Sequence, residues 1–72
     1  MFESGAVMKV GQEIESIRKK LGFSVVFMCN VFNVSEPDYY KIIAGKYRLN
    51  TYQLIMFIDA TKTPLKSIEE YL

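Results

Sequence analysis

The sequence predicts an all-α fold of five short helices, on three observations. Apolar residues recur at spacings of three and four positions, which is the period of one buried helix face. Residues that cap or end helices follow one another about every ten positions, while strand signals are weak. Half of the 72 residues are hydrophobic and 24% are charged, a balance that favours a compact fold over disorder. A chain of this length supplies one small domain.

The first helix is expected to end at Gly22, because glycine readily adopts the left-handed conformation that closes a helix. Residues 1–8 lack the helical period, so we expect them to form a flexible leader. Residues 9–72 then form a single domain. The apolar face of the first helix consists of Val10, Ile14, Ile17 and Leu21.

The second helix is expected to follow Ser24, whose side chain suits the N-cap position. Asn33 stands where the chain must turn sharply, and asparagine tolerates the left-handed conformation better than any residue except glycine. Val34 then fills the turn. The buried face of this helix consists of Val25, Met28, Cys29 and Phe32.

The third helix is expected to cover about residues 36–44, with Ser35 as its N-cap and Gly45 as its stop. Pro37 is compatible with this helix, because an N–H in the first turn has no carbonyl partner to lose. Asp38 follows Ser35 by three positions and resembles a capping box. Its apolar side consists of Tyr39, Ile42 and Ile43.

The last two helices follow from the same signals. Asn50 and Gln53 form a capping box for a fourth helix, which is predicted from Thr51 to about Thr61. A fifth, short helix is predicted to begin at Pro64, with Thr63 as its cap. The apolar positions of the fifth helix are Leu65, Ile68 and Leu72.

The residues that are absent exclude most catalytic functions. The sequence has no His, so it lacks an imidazole base, a Cys/His pair and the usual zinc ligands. Cys29 is the single cysteine, which fits a reducing compartment. The longest apolar runs have five residues, far fewer than the roughly 20 that span a bilayer, and the acidic start MFESG does not resemble an export signal. We expect a protein that is not an enzyme, binds no cofactor, metal or small-molecule substrate, and does not enter a membrane.

Charge is distributed unevenly along the chain, although the net charge is only +1. The segment 18–48 carries six basic and two acidic side chains, for a net charge of +4. The remaining residues carry three basic and six acidic side chains, for a net charge of −3. This separation either concentrates positive potential on one face or scatters solubilising charge over the surface.

Two short helices joined by a tight turn are typical of a helix-turn-helix. The segment from Gly22 to Asn50 resembles the lambda-repressor and Cro-like helix-turn-helix family, which includes the xenobiotic-response-element type regulators. It reads GFSVVFMCNVFNVSEPDYYKIIAGKYRLN. The similar positions are the entry Gly22-Phe23-Ser24, the pair Met28-Cys29, the turn Phe32-Asn33-Val34-Ser35, the anchors Tyr39 and Ile42, and Gly45-Lys46. The resemblance extends over about residues 10–68 and implies a lambda-repressor-like DNA-binding domain with a central helix-turn-helix.

The resemblance also implies a function. A member of this family would be a homodimeric transcriptional regulator in the cytoplasm of a prokaryote or phage, and it would bind double-stranded DNA sequence-specifically. Its recognition helix, about residues 36–44, would lie in the major groove. Lys46 and Arg48 would contact phosphates, and Tyr47 would donate its hydroxyl to one. The implied DNA-binding residues are Ser24, Val25, Ser35, Glu36, Pro37, Tyr40, Lys41, Ala44, Lys46, Tyr47 and Arg48.

Other features favour a second function. Glu36 and Asp38 place negative charge in the first turn of the recognition helix, where it repels phosphates. Apolar residues lie off the buried stripes of their helices, and exposed apolar patches mark interfaces. The alternative is a helix-turn-helix scaffold for protein–protein interaction, as a regulator's partner or an antirepressor, with weak or no DNA binding. The candidate interface residues are Val26, Phe27 and Val31 in one patch and Ile55, Met56 and Tyr71 in another.

Overall fold

The structure, a computed structural model, describes residues 4–71 of the chain. This part of the chain folds into four helices of eight or more residues and one further helical turn, with no strand. The prediction of an all-helical fold is confirmed, and no helix within residues 4–71 is long and apolar enough to cross a membrane. The elements are α1 (Ser4–Leu21), α2 (Val25–Phe32), α3 (Glu36–Ile43), α4 (Thr51–Thr61) and α5 (Ile68–Tyr71).

Helix α1 begins earlier than the sequence predicts. The expected flexible leader covers residues 1–8, but residues 4–8 are helical, so the prediction is wrong for them; residues 1–3 lie outside the described part. The physical reason is that Val7 stands three positions before Val10 and joins the hydrophobic core, with only 4% of its surface exposed. Burial of Val7 adds a further turn to the packed face of α1.

Three side chains cap helices as predicted. The Ser24 hydroxyl accepts from the N–H of Phe27 at 3.0 Å at the start of α2. The Ser35 hydroxyl does the same for α3, at 3.4 Å from the N–H of Asp38. At α4, Asn50 and Gln53 form the full capping box, in which each side chain accepts from the other residue's N–H.

The turn between α2 and α3 has the predicted left-handed residue. Asn33 has φ 58° and ψ 51°, and the N–H of Val34 donates to the Cys29 carbonyl at 3.0 Å. A second bond from the N–H of Asn33 to Asn30 completes a Schellman motif, which satisfies carbonyls that the helix end would otherwise leave open. The chain therefore turns at Asn33, and α3 packs against α2.

The core lies where α1 to α4 meet. Phe32 is at its centre, with its ring 5.7 Å from that of Phe57 and 6.5 Å from that of Tyr39, measured between centroids. These contacts join α2, α3 and α4 into one hydrophobic cluster. The other large side chains that are almost completely buried are Val10, Ile14, Met28, Ile42 and Tyr71.

Helices α1 and α3 approach closely at Gly11. A Cβ at this position would lie well inside contact distance of the Ile42 carbonyl oxygen and 3.0 Å from the Cα of Ile43. The missing side chain thus allows the two backbones to touch near the end of α3. Gly45, with φ 77°, continues the contact, because a Cβ there would lie 2.9 Å from the Cα of Met8.

The C-terminal segment departs from the sequence prediction. The fifth helix does not begin at Pro64 and is not capped by Thr63, whose hydroxyl instead bonds back to the end of α4. A side chain distant in sequence takes over the capping, since the Glu13 carboxylate accepts from the N–H groups of Lys66 at 2.7 Å and Ser67 at 2.9 Å. These bonds fix the start of α5 one turn later. The predicted apolar position at residue 72 lies outside the described residues.

Candidate nucleic-acid interface

Helix α3 has one buried and one exposed face. Tyr39 and Ile42 are buried on the inner side. On the opposite side, residues that alternate at intervals of one and three positions along the chain line up along the helix. We call this line of residues the outer row. All five candidate DNA-facing residues of the α3 region are exposed in this row: Glu36, Pro37, Tyr40, Lys41 and Ala44.

The two cap residues of the turn are already used structurally. Ser24 and Ser35 are exposed, and each hydroxyl oxygen accepts a backbone N–H. A serine hydroxyl that accepts can still donate its own proton, so both remain able to bond an acceptor such as a phosphate oxygen. Val25 is half-buried against the core and offers an outside partner only its backbone N–H, which belongs to the open first turn of α2.

The loop after α3 carries the candidate phosphate contacts. Lys46 is exposed. Tyr47 is half-buried, and its hydroxyl accepts from the Gln53 amide at 3.4 Å. The Arg48 guanidinium donates to the carbonyl oxygen of Tyr71 and lies 4.6 Å from the centre of its ring. Arg48 is therefore already held against the C-terminal turn, whereas Lys46 points its charge to solvent.

Tyr71 is not an interface residue. It was expected in an exposed apolar patch, but only 2% of its surface is exposed, so this prediction is wrong. The physical reason is that α5 covers the loop before α4, where the Tyr71 hydroxyl accepts from the N–H of Leu49. Tyr71 thus fixes the loop that carries Arg48.

The outer row of α3 is close to electrically neutral. Lys41 forms a loose ion pair with Asp38 at 3.9 Å on its own helix. Glu36 adds an exposed carboxylate near the N-terminus of α3, where the helix dipole favours negative charge. The remaining positive charges of this region stand in the following loop, on Lys46 and Arg48.

A polar network positions α3 against α1, and sequence reasoning missed it. The Tyr39 hydroxyl donates to the Glu15 carboxylate at 2.7 Å, and Arg18 donates to both oxygens of that carboxylate at 2.8 and 2.9 Å. Arg18 also donates to the Phe23 carbonyl at 2.9 Å. Hydrogen bonding by Arg18 lowers the pKa of Glu15, and burial raises the pKa of Tyr39. Only the three-residue spacing of Glu15 and Arg18 was visible in the sequence.

Two apolar surfaces remain exposed, in partial agreement with the predicted patches. On α2, Val26 is 57% and Phe27 39% exposed, whereas Val31 is half-buried against the core. On α4, Ile55 is 57% exposed and Met56 is half-buried. Tyr52, 68% exposed, lies on the same side of α4 and was not among the predicted interface residues.

Within residues 4–71, no group of His, Cys, Asp and Glu side chains could hold a metal ion. The thiol of Cys29 is buried in the core, and burial raises its pKa, so it is held in the neutral form. Comparisons of the chain with protein-family models, curated proteins and solved structures gave no match. Function is therefore inferred from the geometry of α2, α3 and the loop that follows them.

Proposed function

We propose that this protein is a small transcriptional regulator that binds double-stranded DNA sequence-specifically through a lambda-repressor-like helix-turn-helix. The observation that carries the proposal is the tight turn at Asn33, after which the outer row of α3 is exposed. A helix presented in this way fits the major groove. The proposed setting is the cytoplasm of a prokaryote or phage.

The chemistry of the outer row matches base edges in the major groove. The Glu36 carboxylate accepts from the amino group of cytosine. The Lys41 ammonium donates to guanine, and the Tyr40 hydroxyl donates or accepts. Ala44 is small enough to let the end of α3 approach a thymine methyl group. These four residues supply the sequence-dependent part of binding.

The phosphate contacts surround this row. Ser24 and the open N–H groups of α2 approach one strand, and Ser35 donates at the start of α3. Lys46 supplies charge from the loop, and Tyr47 donates its hydroxyl proton. Arg48 contributes from its position beside Tyr71. Together these contacts set the register of α3 on the duplex.

We also propose that the regulator acts as a homodimer through the outer side of α4. Tyr52 and Ile55 are its most exposed apolar residues, and Met56 adjoins them. Asp59, the one charged residue of α4, pairs with the C-cap Lys62 at 3.4 Å, so the two together add no net charge. An uncharged apolar surface can face a second copy of itself without repulsion. Two recognition helices would then read half-sites about one helical turn, roughly 34 Å, apart.

Binding to random duplex DNA at several salt concentrations tests this function. Affinity should fall steeply as salt rises, because bound counterions are released when lysines neutralise phosphates. Lys46→Ala should reduce the slope of log K against log salt by about 0.9, the value for one lost contact. Lys62→Ala is the matched control, since Lys62 is exposed at the far end of α4 and pairs with Asp59. Absence of binding at about 50 mM salt would refute DNA recognition.

A second candidate function is protein binding by the same scaffold, with weak or no DNA binding. Val26 and Phe27 favour it, because two exposed apolar side chains lie in the first turn of α2, where a DNA binder needs polar contacts. The carboxylates of Glu36 and Asp38 at the start of α3 also favour protein binding over DNA binding, because they repel phosphates. This candidate predicts that the apolar surface of α2 captures a partner whether or not DNA binds.

A further inference from the structure

Gln53 is a buried polar side chain that bonds to three different parts of the fold. Only 8% of its surface is exposed, although it stands in the first turn of α4. Its amide nitrogen donates to the Phe32 carbonyl oxygen at 3.0 Å and to the Tyr47 hydroxyl at 3.4 Å. Its amide oxygen accepts from the N–H of Asn50 at 2.9 Å. One side chain therefore connects the end of α2, the loop after α3 and the start of α4.

The partners of the Gln53 amide fix its orientation. A glutamine amide donates only through its nitrogen and accepts only through its oxygen. Exchanging the two atoms would place the amide oxygen against the Phe32 carbonyl and the amide nitrogen against the Asn50 N–H. Both arrangements are repulsive, because they set acceptor against acceptor and donor against donor. The nitrogen of Gln53 is therefore the atom that faces Tyr47.

The Tyr47 hydroxyl keeps its own proton for a different partner. Its oxygen accepts from the Gln53 nitrogen, and an amide nitrogen cannot accept in return. Among residues 4–71, the structure shows no other hydrogen bond to this hydroxyl. The group is thus a donor without an acceptor in its own domain, which suits a phosphate oxygen of a bound duplex.

Gln53 also connects this hydroxyl to the helix-turn-helix. Phe32 is the last residue of α2 and stands directly before the turn at Asn33. Tyr47 packs against the core, so its side chain is held by packing as well as by the bond from Gln53. A donor that is held in place before binding loses little conformational freedom when it bonds to DNA.

The capping box does not account for the nitrogen of Gln53. It requires only the side-chain oxygen and the backbone N–H, and a glutamate would serve equally well. We propose that Gln53 is a positioning residue for DNA binding, which donates to the Tyr47 hydroxyl and thereby directs the hydroxyl proton to a phosphate oxygen. This inference rests on the proposed DNA function, and it assigns part of the DNA affinity to a buried residue.

Gln53→Glu tests the proposal, because it replaces the donor by an acceptor of the same size. The new carboxylate accepts the Tyr47 proton and withdraws it from DNA. Dissociation constants for random duplex DNA are measured on the parent, Tyr47→Phe, Gln53→Glu and the double variant. Tyr47→Phe should raise the constant about tenfold in the parent, as for a lost hydrogen bond to a charged group, and less than about twofold beside Gln53→Glu. Equal losses in both backgrounds would overturn the proposal.

Thr51→Glu is the control for the added negative charge. Thr51 is exposed in the same turn of α4 as Gln53. A carboxylate there also repels phosphates, so it should weaken DNA binding. It leaves the Gln53 amide in place, however, and Tyr47→Phe should again cost about tenfold in this background. A cost as small as that beside Gln53→Glu would attribute the effect to charge alone and refute the positioning role.

NMR of the parent protein tests the same contact without any change at Gln53. Hydrogen bonds in a chain polarise one another, so a phosphate that takes the Tyr47 proton should strengthen the bond from Gln53. The side-chain N–H signals of Gln53 should therefore shift when duplex DNA is added to the parent, and stay in place in Tyr47→Phe. Gln12, the other glutamine, is exposed on α1 and serves as the internal control. Gln53 signals that do not move in the parent would contradict the proposal, whether or not Gln53→Glu folds.

The outcomes separate this inference from the proposed function. A parent protein that does not bind duplex DNA at about 50 mM salt refutes both. DNA binding that Tyr47→Phe leaves unchanged refutes the roles of Tyr47 and Gln53 and leaves recognition by α3 standing. DNA binding that depends on Tyr47 to the same extent with and without the Gln53 amide refutes the positioning role alone.

Discussion

Glu15 joins three parts of the molecule through one carboxylate. It accepts from Arg18 on its own helix and from Tyr39 on α3, while Arg18 reaches the Phe23 carbonyl before α2. Charge-assisted hydrogen bonds are roughly twice as strong as neutral ones. The orientation of α3, and with it the outer row, therefore depends on this side chain.

Stability should fall in acid because of Glu15. Hydrogen bonding by Arg18, against the opposing effect of burial, lowers the pKa of Glu15 below its ordinary value of 4.5. Its contribution is therefore complete above about pH 4.5 and is lost as the pH falls through the folded-state pKa. Glu15→Gln should reduce the free energy of unfolding at neutral pH by about 1–2 kcal/mol and flatten its decline in acid. Urea unfolding at several pH values measures both.

The control for this prediction is Glu69→Gln, which changes an exposed carboxylate on α5. It should leave the unfolding free energy within about 0.5 kcal/mol of the parent at neutral pH. If the unfolding free energy of Glu15→Gln falls in acid as much as that of the parent, another carboxylate is responsible for the acid destabilisation.

At the scale of elements, Gly11 sets how closely α1 and α3 can pack. A methyl group there would collide with the Ile42 carbonyl, which belongs to a rigid backbone. Gly11→Ala should therefore lower the unfolding free energy by about 1–3 kcal/mol, despite alanine's better helix propensity. Gly5→Ala is the matched control on the same helix, because nothing lies within 4 Å of the added methyl. In thermal unfolding, Gly11→Ala should be destabilised, and Gly5→Ala should be unchanged or stabilised.

The helix boundaries show which signals a sequence carries at this scale. The caps Ser24, Ser35 and Asn50 were predictable, because each acts on N–H groups within three residues of itself. The start of α5 was not, because the group that caps it, Glu13, stands 53 positions before Lys66. Propensity acts over a few residues, so a boundary fixed by tertiary contact escapes it.

Some features of the candidate site were also predictable from the sequence, and others were not. The burial of Tyr39 and Ile42 was predicted from the helical period, and the family resemblance implied that Tyr40 and Lys41 face outward. The burial of Tyr71 and its contact with Arg48 did not, because they require α5 to return to the loop before α4. Contacts between elements distant in sequence depend on the assembled fold.

At the scale of the whole molecule, the two apolar surfaces lead to a prediction about assembly. If α4 forms the homodimer, Ile55→Asp should convert the protein to a monomer, because it places two carboxylates opposite each other across the two-fold axis. Sedimentation equilibrium over a range of concentrations measures the change. Val26→Asp, equally exposed, should leave the oligomeric state unaltered. The reverse pattern would place the dimer contact on α2.

The inner side of α3 packs in the core, whereas the side chains of its outer row are exposed; the ring of Tyr40 meets that of the buried Tyr39 edge-on, 6.0 Å away between centroids. Substitutions on such a surface usually alter folding free energy by less than about 0.5 kcal/mol. Related sequences could therefore differ at Glu36, Lys41 and Ala44 while Tyr39 and Ile42 stay the same. A few substitutions in the outer row could then change what this surface binds, because each of them would leave the chain folded.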